Sequence, residues 1–450
     1  MGWWLLLGSA HAASVAGLAV PGVGGGFAGP AAPGVLGVYH NPSAAAFAPR
    51  PELALDLGLL HNRVSQQLDT WDAPQVDPDL GPQPSLMAAV PIGRFAVGAA
   101  FAVPWLRGGA SPPDGPQRLF TVSSTLSMIE GDLIAAARPV DWLGVGATLR
   151  VGQFTYASSH AIDTGVLLNG SLDPEPPLPI GEPLLEGTQA VEGVQDLVFS
   201  WAAGLTVGQP DGPSVAVSYR PPWVTRGEGT VVFVPSRDLL ARIDGRVQVE
   251  FVLPASLAAG GRVPVGPVVL LPEFEWFGWS RTGHVVADVR GLALTSADPV
   301  LDSLLAAAGL DQADFVTSQQ GKDRSALDWR DSVNVGAQVA WVARPPFEVR
   351  GGVFYASSAV RERSVNPSNL DFARWDLRAA GSWQAAEAAR FGLSADWFPG
   401  SPRIVTTSVY TQQDPGSGDL ALPSGNGRYT LGLWRLGATV VLGIPSRGDR

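Results

Sequence analysis

The groupings in this chain that could do chemistry are few, and each makes a definite demand on the fold. Gly24-Gly25-Gly26-Phe27-Ala28-Gly29 has the spacing G-x-G-x-x-G, by which backbone amides hold a diphosphate at the start of a helix. That chemistry needs a strand before the glycines, a helix after them and an acid for the ribose. None of these is evident around the stretch, so the match is fortuitous. The five histidines (11, 40, 61, 160 and 284) lack metal-ligand spacing, and neither G-x-S-x-G nor H-E-x-x-H occurs. A Ser/His/acid site assembled across strands, as in a membrane-embedded hydrolase, is the catalytic arrangement that spacing leaves open. No catalytic residue, cofactor site or metal site is assigned. Asn41-Pro42-Ser43 is of another kind: Asn bonds nearby backbone, Pro fixes φ and removes a donor, and together they turn and pin a chain.

Most other polar residues obey a period of two. In "RWDLRAAGSW" (Arg374 to Trp383), Arg374, Asp376 and Arg378 alternate with Trp375, Leu377 and, further on, Trp383. The same alternation recurs in "LALDLGL" from Leu53, "FAVGAAFAV" from Phe95, "LGVGATLRV" from Leu143, "VNVGAQVAWV" from Val333 and "FEVRGGVFY" from Phe347. The same parity, continued through "SVAVSYR" to Arg220 and "FGLSADW" from Phe391, sets Asp56, Arg150, Arg220, Asn334, Gln338, Glu348, Arg350, Asp376, Arg378 and Asp396 on one face, opposite an apolar one. Such side chains form interior salt bridges in a barrel wall.

Composition says which medium the apolar face meets. The 450 residues are 46% hydrophobic and only 16% charged, with 54 Gly and 39 Pro, against a usual charged share of about 25%. No apolar run is long enough for a spanning helix, whereas transmembrane strands need only about ten half-apolar residues each. A net charge of -11 excludes a nucleic-acid footprint. Cys is absent, and "MGWWLLLGSAHAAS" ends its apolar run in Ala10-His11-Ala12, the pattern of an export signal over residues 1–12.

The elements that must position these residues follow. Residues 13–50 are rich in Gly, Ala and Pro and lack either periodicity, so they read as an irregular packed segment. Fourteen strands are expected over 51–445, near 52–60, 84–92, 94–104, 119–138, 141–156, 195–208, 213–231, 247–261, 267–290, 332–343, 346–360, 373–384, 389–410 and 428–444. Every second connection is short ("IGR", "PVD", "PDG", "VPVG", "RPP", "AAEA"), while the stretches 62–82, 158–192, 292–331 and 400–427 are long. This parity puts all long loops at one end, as in a closed antiparallel transmembrane β-barrel of the bacterial outer membrane, an all-β fold. Helices are expected in two loops, Ser236 to Asp244 and Asp298 to Phe315.

The segment "GVLGVYHNPSAAAF" (Gly34 to Phe47) resembles the Asn-Pro-Ala motif in the N-terminal hatch of the FadL family of outer-membrane fatty-acid and hydrocarbon transporters, with Asn41-Pro42-Ser43 at the motif. "FSWAAGLTVGQPDGPSVAVSYRPPWVTRGEG" from Phe199, "LPASLAAGGRVPV", "EFEWFGWSRTGHV" and "WRDSVNVGAQVAWVARPPFEVRGGVFYASSAV" from Trp329 are similar to segments of the same family. "PGVLGVY" replaces the family's acidic-Ala-Ser stretch, and the chain ends on "VVLGIPSRGDR" instead of an aromatic. The resemblance implies a fourteen-stranded barrel plugged by residues 13–50. It also implies loop capture of a long-chain fatty acid or another hydrophobic small molecule, an apolar lumen pocket, and rearrangement of the hatch at Asn41, Pro42 and Ser43. Outer-membrane lipid and lipopolysaccharide would surround it. A structural or adhesive barrel with a filled interior, or the hydrolase above, are the alternatives.

Overall fold

The computed structural model describes residues 23–69, 75–110, 112–113, 116–163, 186–209, 212–235, 242–281, 284–294, 303, 306, 320–344, 346–365, 370–399, 401–408 and 425–444. Nineteen strand segments among them form one sheet. The first six are β1 (Glu52–Leu68), β2 (Gln75–Ile92), β3 (Phe95–Ala110), β4 (Ser123–Val140), β5 (Leu143–Asp163) and β6 (Glu186–Gly208). Then come β7 (Ser214–Arg220), β8 (Trp223–Pro235), β9 (Ile243–Leu253), β10 (Ser256–Val265), β11 (Val268–Phe277), β12 (His284–Leu294), β13 (Gly321–Ala326) and β14 (Ser332–Arg344). The last are β15 (Phe347–Ala356), β16 (Arg374–Ala386), β17 (Ala389–Pro399), β18 (Arg403–Val405) and β19 (Gly427–Gly443).

Five pairs of segments each form one stave. β7 and β8 are separated by Pro221-Pro222, and β9 and β10 by Pro254-Ala255, yet β7 and β8 both pair with β6. β10 continues against β7, and β9 against β8. β17 with β18 is interrupted beside Pro399 and Pro402, and β11 with β12 and β13 with β14 are interrupted without a proline. The result is fourteen antiparallel staves, closed by β1 against β19 from Glu52↔Gly443 to Leu68↔Gly427. Proline interrupts a ladder because it lacks the N–H that the ladder needs.

The faces sort by solvent. Along β1, Leu53, Leu55, Leu57 and Leu59 are exposed, while Ala54 and Asp56 are 0% exposed. Trp375 (54%) and Trp383 (47%) are exposed on β16, where Arg374 and Asp376 are buried. An all-round exposed apolar face fits lipid and not water, and a charge moved onto it would cost roughly 2–4 kcal/mol at midplane. Rings gather at two levels. Phe95, Trp142, Trp341, Phe347, Trp383 and Phe391 are exposed beside the short turns. Trp375 lies beside Tyr355 at 5.3 Å, and Trp201 beside Tyr219 at 5.8 Å, each pair tilted, toward the long loops. Trp375 and Trp383 stand eight residues apart on β16, which at about 3.4 Å per residue and a tilt of about 40° spans roughly 20 Å of bilayer.

Where the structure departs from the sequence reading, the strands are longer. β1 and β2 run through most of 62–82, β5 and β6 extend into 158–192, and β13 lies inside 292–331, all expected as loop. Beyond the bilayer both strand faces are polar, as in "HNRVSQQ" (His61 to Gln67), and the apolar alternation that marks a strand is lost. The expected strand at 119–138 instead starts at Ser123, after a 3-10 turn over Pro116–Leu119. The expected helix at Ser236 to Asp244 is wrong at its end, because Ile243 and Asp244 open β9; residues 236–241 lie outside the described residues, as does the signal at 1–12. Within Asp298 to Phe315 only Ser303 and Ala306 are described, and both are helical.

A labelling experiment checks the register. Cysteine at Val335, Leu377 or Leu393 is expected to react with a membrane-partitioning maleimide, and cysteine at Arg350 or Arg378 to be protected. The opposite pattern would mean a slip of one residue, which turns every side chain to the other face.

Candidate functional site

The N-terminal segment lies inside the barrel, crossing its lumen near the short-turn end. A 3-10 helix, Pro42–Phe47, packs on β4, β5 and β6, and a shorter one, Gly25–Phe27, packs on β16, β17 and β19 across the lumen. Asn41 caps the first. Its Oδ1 accepts from the Ser43 amide (3.1 Å) and Ser43 Oγ (2.7 Å). Its Nδ2 donates to Pro30 O (3.3 Å), Leu205 O (3.2 Å) and Thr206 Oγ1 (3.2 Å). Asn41 and Ser43 are fully buried, and Ser43 Oγ also meets Thr206 Oγ1 at 2.7 Å. The wall is cut back to receive them. A Cβ on Gly204 would stand 2.0 Å from Asn41 Oδ1, and one on Gly146 would stand 2.5 Å from the Pro42 carbonyl carbon. Gly24 and Gly25 of the fortuitous motif hold φ of 81° and 65°, backbone that glycine adopts at little cost, inside this segment.

Tyr39 and His40 form the upper surface of the segment. Arg220 donates to Tyr39 O and lies 4.4 Å over its ring, and Ser218 Oγ donates to His40 O at 2.6 Å. Burial pushes the His40 imidazole down to about 4, and the neighbouring Arg220 adds to this, so the ring is neutral. Arg150 pairs with Glu130 and, at 3.3 Å, with Asp132, while its guanidinium lies 5.0 Å from the Trp223 ring and 5.9 Å from the Tyr39 ring. Above this floor the interior changes character. Met128, Phe154, Trp223, Phe251, Trp279 and Trp329 belong to one large buried apolar cluster on the long-loop side of this floor.

The short-turn half combines apolar packing around the N-terminal segment, including Phe27, Val35, Leu36 and Met87, with a set of ion pairs. Arg435 contacts Asp56 (2.6 Å) and Asp396 (3.6 Å), and Thr439 Oγ1 donates to Asp56 at 2.7 Å. Arg378 pairs with Asp376 at 2.6 Å, and Arg350 with Glu348 at 2.5 Å. Arg350 also donates to Phe27 O at 3.1 Å, and Gln338 to Glu273 at 3.5 Å. Asn334 lines a cavity of about 50 Å³ with His40, Glu273, Glu275 and Arg378. All ten of the alternating polar residues lie on the inner face: Asp376 pairs with Arg378 and Glu348 with Arg350, Arg220 and Arg350 reach the N-terminal segment, and Asp56, Asp396, Gln338 and Arg150 are held by Arg435, Glu273, Glu130 and Asp132 of the wall. The sequence reading missed Glu130, Asp132, Trp223 and Arg435, although Glu130-Gly131-Asp132 has the same period of two.

One seam of the wall is incomplete. β2 pairs with β3 only between Ser85↔Ala102 and Ile92↔Phe95, although β2 continues to Gln75 against β1 and β3 to Ala110 against β4. Amide N–H groups alternate sides along a strand. Pro91 lies past the β1 ladder, whereas Pro78, Pro82 and Pro84 lie past the β3 ladder. Only one parity keeps every proline out of a ladder: odd residues of β2 turn their amides to β1 and even residues to β3. The three even prolines thus strip donors from the free edge; at Pro82 and Pro84, opposite Leu59 and Leu57 in the apolar belt, an unpaired N–H facing lipid would cost several kcal/mol, while Pro78, opposite Arg63, lies beyond the belt. A register shift in β3 between Ala102 and Trp105 widens the gap, and its lower end lies beside Glu130, the partner of Ala102 on β4.

No family model and no curated protein sequence matches the chain. Solved structures do. A Pseudomonas aeruginosa FadL homologue superposes with a TM-score of 0.76 at 14% identity, covering 96% of this chain and 98% of that one. The P. putida toluene transporter TodX gives 0.65 at 14% identity over 90% and 93% of the two chains. The Ralstonia pickettii toluene transporter TbuX gives 0.62 at 15% over 96% and 99%. With fourteen staves, short turns at one end and an N-terminal segment through the lumen, the chain has the fold of the FadL-type transmembrane barrels.

Proposed function

We propose that this barrel sits in the bacterial outer membrane and carries hydrophobic small molecules inward, using its N-terminal segment as a hatch. The observation that carries the reading is the division of the lumen. An aqueous pore needs a polar interior along its length, which the apolar half on the long-loop side does not provide. Here that half would solvate a hydrophobic molecule entering from the loops, and Tyr39, Arg150 and Trp223 would stop it at the floor. The half beneath, packed by the N-terminal segment and held by ion pairs, blocks straight passage. The open β2–β3 seam begins at floor level, so the exit runs sideways into the membrane.

Long-chain fatty acids are the ligand class that the sequence resemblance implies. Arg150 favours a second class, neutral hydrocarbons. Its guanidinium already serves two carboxylates, so a fatty-acid headgroup arriving beside Glu130 and Asp132 would find it engaged. The test is uptake of labelled oleate and labelled toluene by cells lacking their own transporters, with and without the chain. Transport of toluene above that of oleate is expected, and transport of neither would reject the function.

Pro82→Ala with Pro84→Ala restores two amide donors to the free edge of β2. Uptake is expected to fall at least severalfold while the barrel still assembles. Unchanged uptake by that variant would reject the side exit.

A further inference from the structure

Above the lipid belt, the outer wall of β8, β9, β12 and β13 carries a charged grid that neither the transport path nor the barrel interior uses. Register fixes its rows. Arg226 faces Glu250, Glu250 faces Val286, and Val286 faces Arg324. One row further out stand Glu228, Gln248, Asp288 and Lys322; beyond these come Thr230, Arg246 and Arg290. Below the grid the same staves are apolar on the outside, with Val215, Val217, Tyr219, Val224 and Leu257 exposed. The change from lipid-facing to charged wall thus falls in one step, at the height where headgroups begin.

The charges inside the grid do not cancel. Arg226 pairs with Glu250 at 3.1 Å, Arg290 with Asp288, and Glu228 accepts from Gln248 at 3.5 Å. All three carboxylates are thereby engaged. Among the described residues, no carboxylate lies within ion-pair distance of Arg246 or Lys322. Arg246 also stands directly opposite Arg290, whose side chain is 70% exposed. Like charges facing across a ladder destabilise it unless an anion lies between them, and the planar forks of two arginines match the oxygens of a phosphate.

We propose that Arg246 and Arg290, with Lys322 on the next stave, bind a phosphate group of a glycolipid in the outer leaflet. A lipid is favoured over a soluble anion because the grid adjoins the apolar belt without a break, so acyl chains and phosphate are engaged together. The inference rests on placement in the outer membrane and is independent of the transported ligand.

The test uses the full chain, folded in detergent and checked by its heat-modifiable mobility, with native mass spectrometry as readout. The probes are bisphosphorylated lipid A, the same lipid with its phosphates removed, and phosphatidylglycerol. Retention of the bisphosphorylated form is expected, at least tenfold above the other two, weakening as salt is raised. Arg246→Gln with Arg290→Gln is expected to abolish the difference, and Arg50→Gln, at the opposite end of the barrel, to preserve it. If the double variant fails to fold, Arg246→Gln alone gives the same comparison. Equal retention of phosphorylated and dephosphorylated lipid, or retention unchanged in the variant, overturns the proposal. Equal retention of phosphatidylglycerol overturns its assignment to a glycolipid. A folded barrel that transports normally but shows no lipid preference separates this failure from failure of the transport reading.

Discussion

Arg435→Leu is expected to destabilise the barrel by about 3–5 kcal/mol, the range found when one partner of a buried ion group is removed. Arg435 is 1% exposed, and its guanidinium serves Asp56, Asp396 and Ser394 Oγ at once, linking β1, β17 and β19 across the closure of the sheet. Leucine leaves two carboxylates in the lumen wall without their guanidinium, with Thr439 Oγ1 still donating to Asp56. Each carboxylate must then take up a proton or draw in water, and both routes cost free energy. Arg435→Lys keeps the charge and loses the fork, so it should fall between. Arg435→Leu combined with Asp56→Asn and Asp396→Asn removes the stranded charge and should recover much of the loss. Denaturant titration of the vesicle-inserted barrel, followed by tryptophan fluorescence, reads all three. A shift below about 1 kcal/mol for Arg435→Leu would show that water in the lumen already screens these carboxylates.

The barrel was legible in the sequence because lipid enforces it. A lipid-facing charge is so costly that Trp375, Leu377 and their counterparts must alternate with Asp376 and Arg378 along each stave, and the short connections fix which ends are joined. Legibility failed where that pressure ends. Outside the bilayer, the residues from His61 to Gln67 and the segment Gly321–Ala326 are strands held by their neighbours' ladders, with no apolar face to reveal them. The site was legible only in part. Asn41 and Pro42 announced a pinned turn, but their meeting with Gly204 and Gly146 depends on residues more than a hundred positions away, and small wall residues carry no signal of what they receive. Trp223 follows Pro221-Pro222 as an ordinary aromatic would; only closure of the barrel sets it over Arg150. The open seam was written in the prolines of β2, yet their parity has meaning only once both ladders are known.

Asn41→Ala together with Pro42→Ala is expected to leave the barrel assembled, raise its small-ion conductance, and cut uptake of the hydrophobic ligand roughly tenfold, equivalent to about 1.4 kcal/mol in the population of the working arrangement. The Asn41 side chain makes five hydrogen bonds, two within its own turn, one to Pro30 of the same segment, and two that tie the segment to Leu205 and Thr206 of β6. Alanine removes all five and orphans buried groups, at about 1–3 kcal/mol for each one that water cannot reach. The β-strands do not depend on these bonds, so a heat-modifiable barrel should persist. The floor does depend on them, because Tyr39 and His40 immediately precede Asn41 and hold the contacts with Arg220 and Ser218. A loosened floor lets ions past the short-turn half of the lumen and no longer stops the ligand beside the β2–β3 seam, which is why leak and uptake should move in opposite directions. Gly204→Val tests the same point from the wall, since its first side-chain carbon would already sit 2.0 Å from Asn41 Oδ1 and must push the segment away. Planar-bilayer conductance and ligand uptake, measured on both variants, separate the outcomes. Conductance and uptake both at wild-type levels in an assembled double variant would reduce Asn41 and Pro42 to a turn that leads the chain into β1.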